Sequence, residues 1–497
     1  MIDRENAAFI QTGVAISLAT GAVDRLPNHA RALGCKLVDA EQRLAIFVRS
    51  SQSQALLANI RDCFDGVIPG LIATCDADGV PNMAYLSQVQ FIDLEHVALS
   101  YQFFNKTRQN VLLNPKVRLL LTSHLTACQY RLSLHYLRTE TAGPLFEQMK
   151  AKLAGIASHT GMSGVFKLLG SDVYRILAIE RVPGATLAAP PPLVNYLTAL
   201  RRSTARLASC EHLETLLDTS LDCLSSEFGI QHLMLLMHDE AGQRLYTLAS
   251  HGYPASGVGS EIPIGAGVIG VCARERTPIR IGYTASEYAY GRAIRESAAA
   301  DGLSAALESA IPLPGLPEAA SQLAVPITAF DRLLGVFYVE STADQHFGYD
   351  DEDALVAFAA QLGMAIHHQQ AADTAEEPAA TEPATRTPAG KPLTVRRHFS
   401  GSDSVFLDDD YLIKGVAGAI LWALVRDHVE RGRTSFSNKE LRIDPRIRLP
   451  GVSDNLEARL LLLQRRLDER PAGITLVKTR RGRFALCVKQ PLQLVAA

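Results

Sequence analysis

The stretch Gly70–Thr122, GLIATCDADGVPNMAYLSQVQFIDLEHVALSYQFFNKTRQNVLLNPKVRLLLT, decides how the first third of the chain reads. An apolar run ends at Asp76-Ala77-Asp78-Gly79. Asp bonds its own backbone and Gly takes positive φ, so this composition marks a tight turn between strands. A proline, a second strand, an acidic turn and a third strand follow. A loop bearing Lys106 then leads into a short helix, Arg108–Leu113, which stops at Asn114-Pro115. Working outward, the preceding segment repeats these landmarks. Ala19-Thr20, Pro27-Asn28 and Val38-Asp39 recur as Ala73-Thr74, Pro81-Asn82 and Ile92-Asp93, all at an offset of 54. Leu57-Ala58-Asn59 matches Leu112-Leu113-Asn114 at an offset of 55. Each copy reads as strand, turn, strand, strand, short helix. Duplication accounts for the pattern; the alternative is the self-similarity of any β-meander.

The quoted stretch resembles the pyridoxamine 5′-phosphate oxidase-like, FMN-binding split-barrel superfamily. The resemblance covers roughly 13–183 and is firmest over 67–140. It implies FMN as cofactor, with Lys106 and Thr107 at a helix N-terminus receiving the phosphate, where N–H groups and the helix dipole favour an anion. It also implies that Ser87 and Tyr101 line the isoalloxazine or ribityl chain and that Gln129, in CQYRL, comes from a later strand beside the ring. The other reading of Lys106 is an exposed loop lysine. The first copy carries Ser50-Ser51-Gln52 in place of Asn105-Lys106-Thr107, so it is expected to be structural, packing on the second copy or completing the barrel. A homodimer follows by resemblance. No Ser-His-Asp or Cys-His constellation compels a catalytic reading, and enzymatic activity stays open. His124 and Cys128 are a weak metal pair.

Residues 193–370 begin and end with helical patterns, with Leu213, Leu216, Leu217, Leu221 and Leu224 at helical spacing. IPIGAGVIGVCARERTPIRI (262–281) and LAVPITAFDRLLGVFYVESTADQHFGYDDEDALVAFAAQLGMAI (323–366) together resemble a GAF domain. A hairpin turn is expected at Asp331-Arg332, and a pocket for a small molecule is implied, the alternative being a GAF domain that binds nothing and only dimerises. Cys272 reads as a buried small hydrophobe, and Tyr288 and Tyr290 as a lid or a surface loop. The ligand is not legible.

Ala371–Pro392 is rich in Ala, Pro, Thr and Glu without an aromatic, the composition of a disordered linker. Beyond it the pattern is helix (Tyr411–Arg431), a short helix opened by the capping box Ser437–Glu440, a third helix (Asp454–Arg470, capped by Asp454 and Glu457), and the hairpin ITLVKTRRGRFALCV (474–488). This resembles the winged helix of the response-regulator output family. The resemblance implies DNA contact by Arg459, Arg465 and Arg466 on the third helix and by Arg480, Arg481 and Arg483 on the wing. The alternative is a protein-interaction module.

The fold class is therefore multidomain α+β: split β-barrel, GAF α/β sandwich and winged helix. The expected divisions are a barrel-like copy at 1–66, an FMN-binding barrel-like domain at 67–190, the GAF-like domain at 193–370, a linker at 371–392 and the DNA-binding domain at 393–497. Charge separates the last from the rest. Residues 391–497 carry 20 Lys and Arg against 12 Asp and Glu, whereas the remainder carries 29 against 40. A basic tail on an acidic body points to a polyanion partner, and an acidic body is also a surface that can restrain the tail when no signal is present. The N-terminus lacks the pattern of a signal peptide, no apolar run spans a bilayer, and eight cysteines without a C-x-x-C pair fit a reducing cytosol. Three functions follow: a cytoplasmic transcriptional regulator sensing a redox or small-molecule state, an FMN-dependent oxidoreductase with accessory domains, or a signalling scaffold without flavin or DNA.

Overall fold

The structure, a computed structural model, describes residues 17–21, 27–31, 34–37, 44–47, 53–54, 57–102, 105–159, 167–190, 194–283, 311–372, 391–398, 404–447, 449, 455–480 and 482–496. They fall into two compact units. One comprises Met1–Leu193 with Arg280–Ala285 and Asp344–Tyr349; the other comprises Val194–Ile279, Ser286–Ala343 and Asp350–Ala497.

In the first unit, β1 (Ser17–Gly21), β2 (Pro27–Arg31), β3 (Gly34–Leu37), β4 (Leu44–Phe47) and β5 (Ser53–Gln54) lead to a 3-10 helix, Leu57–Phe64. There follow β6 (Gly70–Cys75), β7 (Pro81–Leu86), β8 (Val89–Phe91), β9 (His96–Tyr101), α1 (Lys106–Leu113), β10 (Lys116–Thr122), β11 (Gln129–Glu140), α2 (Pro144–His159) and β12 (Gly170–Val182). Strands β6 to β12 make a curled antiparallel sheet in the order β7-β6-β10-β11-β12-β9-β8, and β5 pairs with β12. Along β10, Val117, Leu119 and Leu121 alternate inward, the period of two that buries one face of a strand. Bulges between Ser133 and Leu134 and between Tyr136 and Arg138 bend β11 against β12. The core gathers Ile60, Phe64, Ile72, Leu99, Leu119, Leu132 and Tyr174. Each such side chain contributes about 1.5–3 kcal/mol by leaving water.

The repeated residues occupy equivalent places. Thr20 pairs with Asn28 and Gly21 with Pro27 in the β1–β2 hairpin; Thr74 pairs with Asn82 and Cys75 with Pro81 in β6–β7. The second hairpins differ by one position: Cys35 pairs with Ile46, and Val89 with Leu99. The β1–β2 hairpin lies against β6, β7 and β10.

The second unit begins with α3 (Tyr196–Ala208), α4 (Leu213–Ser226), β13 (His232–Asp239), β14 (Arg244–His251), β15 (Glu261–Pro263), α5 (Gly267–Glu275), the first residue of β16 (Ile279–Ile281), β17 (Ser321–Ala329), β18 (Arg332–Ser341) and, from Asp350 on, α6 (Tyr349–Ala372). The sheet order is β15-β14-β13-β18-β17-β16. The five leucines of α4 at helical spacing are all buried. The β17–β18 turn falls on Phe330 and Asp331, at φ 48° and 59°, one residue earlier than the sequence suggests. Two consecutive positive φ values match the twist of a tight hairpin, and here neither is supplied by the Gly or Asn that would have marked the place. Gly270 has a packing reason: a Cβ there would meet the Pro263 carbonyl oxygen at 2.4 Å.

The same unit ends with β19 (Leu393–His398), β20 (Ser404–Leu407), β21 (Asp410–Ile413), α7 (Gly415–Arg431), β22 (Ser435–Ser437), α8 (Asn438–Ile443), α9 (Leu456–Glu469), β23 (Ile474–Arg480), β24 (Arg483–Val488) and β25 (Leu492–Ala496). One sheet runs β21-β20-β19-β25, with β19 and β25 parallel; a second runs β22-β24-β23. Three sequence readings need correction. Helix α7 starts at Gly415, not Tyr411, because Asp410–Ile413 pairs with β20 and Gly415 has φ 66°. The cap of α9 is Asn455, whose side chain accepts the Ala458 N–H at 3.0 Å. The four-stranded sheet ahead of and behind the helices was not expected. The Ser437–Glu440 capping box is present. Most of the expected linker, 373–390, lies outside the described residues. No described helix is long and apolar enough to cross a membrane.

Candidate functional site

In the first unit, α1 and the neighbouring strands line an open cleft. Asn105 caps α1 by accepting the Arg108 N–H at 3.1 Å. That cap fixes the phase of the helix, and two Asn–Thr bonds fix its seat. Asn82 Nδ2 donates to Thr107 Oγ1 at 2.9 Å, and Asn110 Nδ2 donates to Thr74 Oγ1 at 3.1 Å. Thr74 and Asn82 are the repeat residues, so the duplicated pair does local work in the second copy.

Ser87, Tyr101 and Thr107 line the cleft, with apolar walls from Ile72, Leu86, Leu99 and Val111. Lys106 and Gln129 are not among the lining residues. Lys106 is exposed, its Nζ 3.9 Å from Asp76 Oδ2 across the β6–β7 turn. Gln129 starts β11 and pairs with Val182, at the opposite end of β11 from the cleft residue Asp172, which pairs with Thr139.

The floor holds a group that sequence reasoning missed. Arg108 turns inward and donates to Asp172 Oδ2 at 2.5 Å and to Thr139 Oγ1 at 2.9 Å. Thr139 donates to Asp172 Oδ1 at 2.6 Å, and Tyr136 meets Thr139 Oγ1 at 2.8 Å. The guanidinium lies 4.5 Å from the Tyr101 ring centroid and 5.4 Å from that of Tyr136. Burial opposes the Arg108 charge, but Asp172, with Tyr136 and Tyr174, outweighs it and holds the guanidinium pKa above its ordinary value. Burial pushes the Asp172 carboxyl up, against the pull of Thr139 and Arg108. Burial raises the Tyr174 hydroxyl as well.

An FMN-type ligand can be tested against these groups. The walls suit a flat apolar ring. The first backbone N–H groups of a helix lack intrahelical acceptors and suit an anion. Gln102 lines the cleft, and its buried Oε1 has no hydrogen-bond partner among the described residues, an acceptor available to a ligand N–H. The residues present therefore fit such a group.

In the GAF-like region, Cys272 is fully buried in α5, and burial holds its thiol pKa well above the ordinary range. Tyr288 and Tyr290 lie outside the described residues. Glu340 is buried and accepts from the Leu316 N–H at 2.6 Å and the Tyr338 hydroxyl at 3.0 Å. His124 Nδ1 lies 3.2 Å from the Asp62 carbonyl oxygen, Cys128 accepts from Arg181 at 3.1 Å, and no metal-holding cluster occurs among the described residues.

The basic residues of the C-terminal region divide by environment. Arg480 is exposed at the tip of β23, Arg483 is half-buried, and Arg481 lies outside the described residues. Helix α9 is different: Arg459 is 4 % and Arg466 6 % exposed. Arg459 pairs with Asp239 at 2.8 Å and lies 4.5 Å from the Tyr246 ring centroid. Arg465 donates to Asp218 at 2.5 Å and to the Leu248 carbonyl at 3.0 Å. Arg466 donates to the Leu412 carbonyl at 3.0 Å and pairs with Glu469. These are not the solvent-facing positions that the leucine stripe alone suggests, because α4, β13 and β14 cover a second face of the helix.

Known proteins bear on the middle of this arrangement. Residues 212–366 match the GAF domain family. The fold and its sites thus define a multidomain α+β protein carrying a GAF sensory domain, which supports a signal-sensing role. The chain is similar to the GAF domain of an Acinetobacter phosphoenolpyruvate-protein phosphotransferase, at 23% identity over 35% of this chain and 94% of that one, TM-score 0.28. It is also similar to an FMN-binding protein from Syntrophomonas wolfei subsp. wolfei, at 17% identity over 26% of this chain and 86% of that one, TM-score 0.22. Over 50 residues it is 46% identical to an uncharacterized protein of Methanocaldococcus jannaschii; the match spans 10% of this chain and about a third (34%) of that relative's length.

Proposed function

We propose that this chain is a sensor-regulator: the barrel cleft takes FMN, the GAF domain takes a small-molecule signal, and residues 393–497 form a winged-helix output domain that contacts DNA. The observation that supports this most is the joining, in one compact unit, of a GAF domain to a basic module ordered as sheet, three helices and hairpin. Exposed Arg480 on the hairpin would supply charge for phosphate contact through counterion release, and Lys478, 3.6 Å from Glu457, would add its own by exchanging that carboxylate for a phosphate. In the cleft, Ser87, Tyr101 and Gln102 would hold the ring and ribityl chain, and Thr107 with the α1 N-terminus the phosphate. FMN would supply a redox-active ring. Arg108 and Asp172 would keep the floor of the cleft rigid and hold Tyr101 in place to meet the ring. The resemblance to split barrels adds a homodimer, measurable by light scattering.

The test uses the native full chain. Its absorbance and bound-ligand mass should show FMN, and it should retard genomic DNA fragments at low salt with affinity falling as salt rises. Absence of retardation at low salt across fragments would sink the DNA reading. The cleft also favours a second reading, an FMN-dependent oxidoreductase, to which turnover of a reduced nicotinamide would point. A colourless protein that takes up no added FMN removes the flavin from both, and if it also retards no DNA a signalling scaffold is left.

A further inference from the structure

The surface that the GAF domain presents to α9 is acidic where the helix is basic. Asp239 holds Arg459, Asp218 holds Arg465, and Glu214 accepts from Gln464 at 3.4 Å. Nearby, Glu261 pairs with Lys414 at 3.0 Å, and Ser256 donates to Glu469. The Tyr246 ring sits against the Arg459 guanidinium. Carboxylates thus take the positions that phosphates would take around a helix lying on a nucleic acid. An arginine that is 4 % exposed cannot reach a phosphate without leaving its seat.

We propose that α4, β13 and β14 of the GAF domain form an autoinhibitory seat for α9, so that DNA contact through this helix requires its release. The proposal rests on the reading of residues 393–497 as DNA-binding. In the seated state only the hairpin is presented to DNA, and binding is weak and non-specific. Release frees Arg459 and Arg465 together, because both are held by the same surface. A signal that shifts β13 or β14 then alters DNA affinity without touching the DNA-binding module itself.

The test compares the full chain with Asp218→Asn/Asp239→Asn, which removes the two carboxylate charges at constant shape. Asp331→Asn, on the β17–β18 turn, controls for charge. Hydrogen exchange of residues 456–469 reads release. Fluorescence anisotropy with a labelled mixed-sequence duplex at low salt reads binding. Faster exchange in 456–469, duplex binding tighter by about tenfold, and a salt dependence steeper by about one to two phosphate contacts support the seat. The control should match the wild type. If exchange rises but the affinity stays at a measurable wild-type value, α9 is not the masked face: the proposal falls and the DNA reading stands on the hairpin. If the helix is released and neither protein binds the duplex, the DNA reading falls and the proposal with it. Unchanged exchange shows that these carboxylates do not hold the helix, and overturns the proposal directly.

Discussion

Arg108 is the residue on which the cleft turns. Its neighbour Lys106 was the obvious cation from the sequence, yet the Asn105 cap leaves Lys106 exposed and sends Arg108 inward. Asp172 is far along the chain, and nothing at either position announces the pair. Thr107, Ser87 and Tyr101 all lie in the stretch that marks the second copy, and all three line the cleft. Arg108, Thr139 and Asp172 were not legible in the sequence, because their contact exists only once α1 lies against the paired strands β11 and β12. Removing one partner strands the other: Asp172→Ala should cost about 3–5 kcal/mol, as expected when a buried ion pair loses one member. Denaturant unfolding checks it, and flavin-fluorescence titration of the same variant should show weakened FMN uptake because Tyr101 loses its support. A change under about 1 kcal/mol would show that the floor relaxes instead.

At the scale of elements, periodicity was a good guide and boundaries a poor one. The leucines of α4 and α9 face their cores as their spacing implied. The start of α7 was misplaced because Asp410–Ile413 is apolar enough to continue a helical stripe but is claimed by pairing with β20. The sheet that β19 and β25 share could not be read from either strand alone, since its defining pairing joins Leu393 to Leu492. The buried cap of α8 gives a clean test. Ser437→Ala removes the acceptor for the Glu440 N–H at 3.3 Å and should destabilise the C-terminal region by about 0.5–2 kcal/mol. Trp422, the chain's single tryptophan, lies buried in α7 and reports unfolding of this region by fluorescence. The same probe reads an acid transition. Arg446 bonds Asp427 at 2.7 Å and Asp444 at 2.6 Å, and holds both carboxyls below their usual range. A carboxyl whose folded pKa is depressed stabilises the fold above its unfolded pKa of about 3.9 and loses that contribution as pH falls through the folded value. Stability of the region should therefore drop as pH falls below about 4, and Asp427→Asn should weaken it at neutral pH while flattening the acid dependence. An unchanged acid profile in that variant would assign the dependence to other groups.

At the scale of the molecule, the acidic body and basic tail of the sequence become specific pairs. Asp239 pairs with Arg459 and Asp218 with Arg465 within one compact unit, and on these pairs the proposed restraint of the tail rests. What charge counting could not supply was which face of the tail meets the acidic surface. A chain ending at Gln490 tests another large-scale dependence, since it removes β25 from the sheet. It should lose the cooperative Trp422 transition while the GAF domain keeps its own unfolding step in calorimetry; retention of both would show that β25 is dispensable.

The parallel pairing of β19 with β25 also sets a timetable. During synthesis, β19 emerges roughly a hundred residues before its partner and waits with an unpaired edge, the kind of edge that invites wrong neighbours. The helices and hairpin between them must be made before the sheet can close. The C-terminal region therefore matures late, after the GAF domain that receives α9 has already been translated, so the surface that the helix packs on is made before the helix itself.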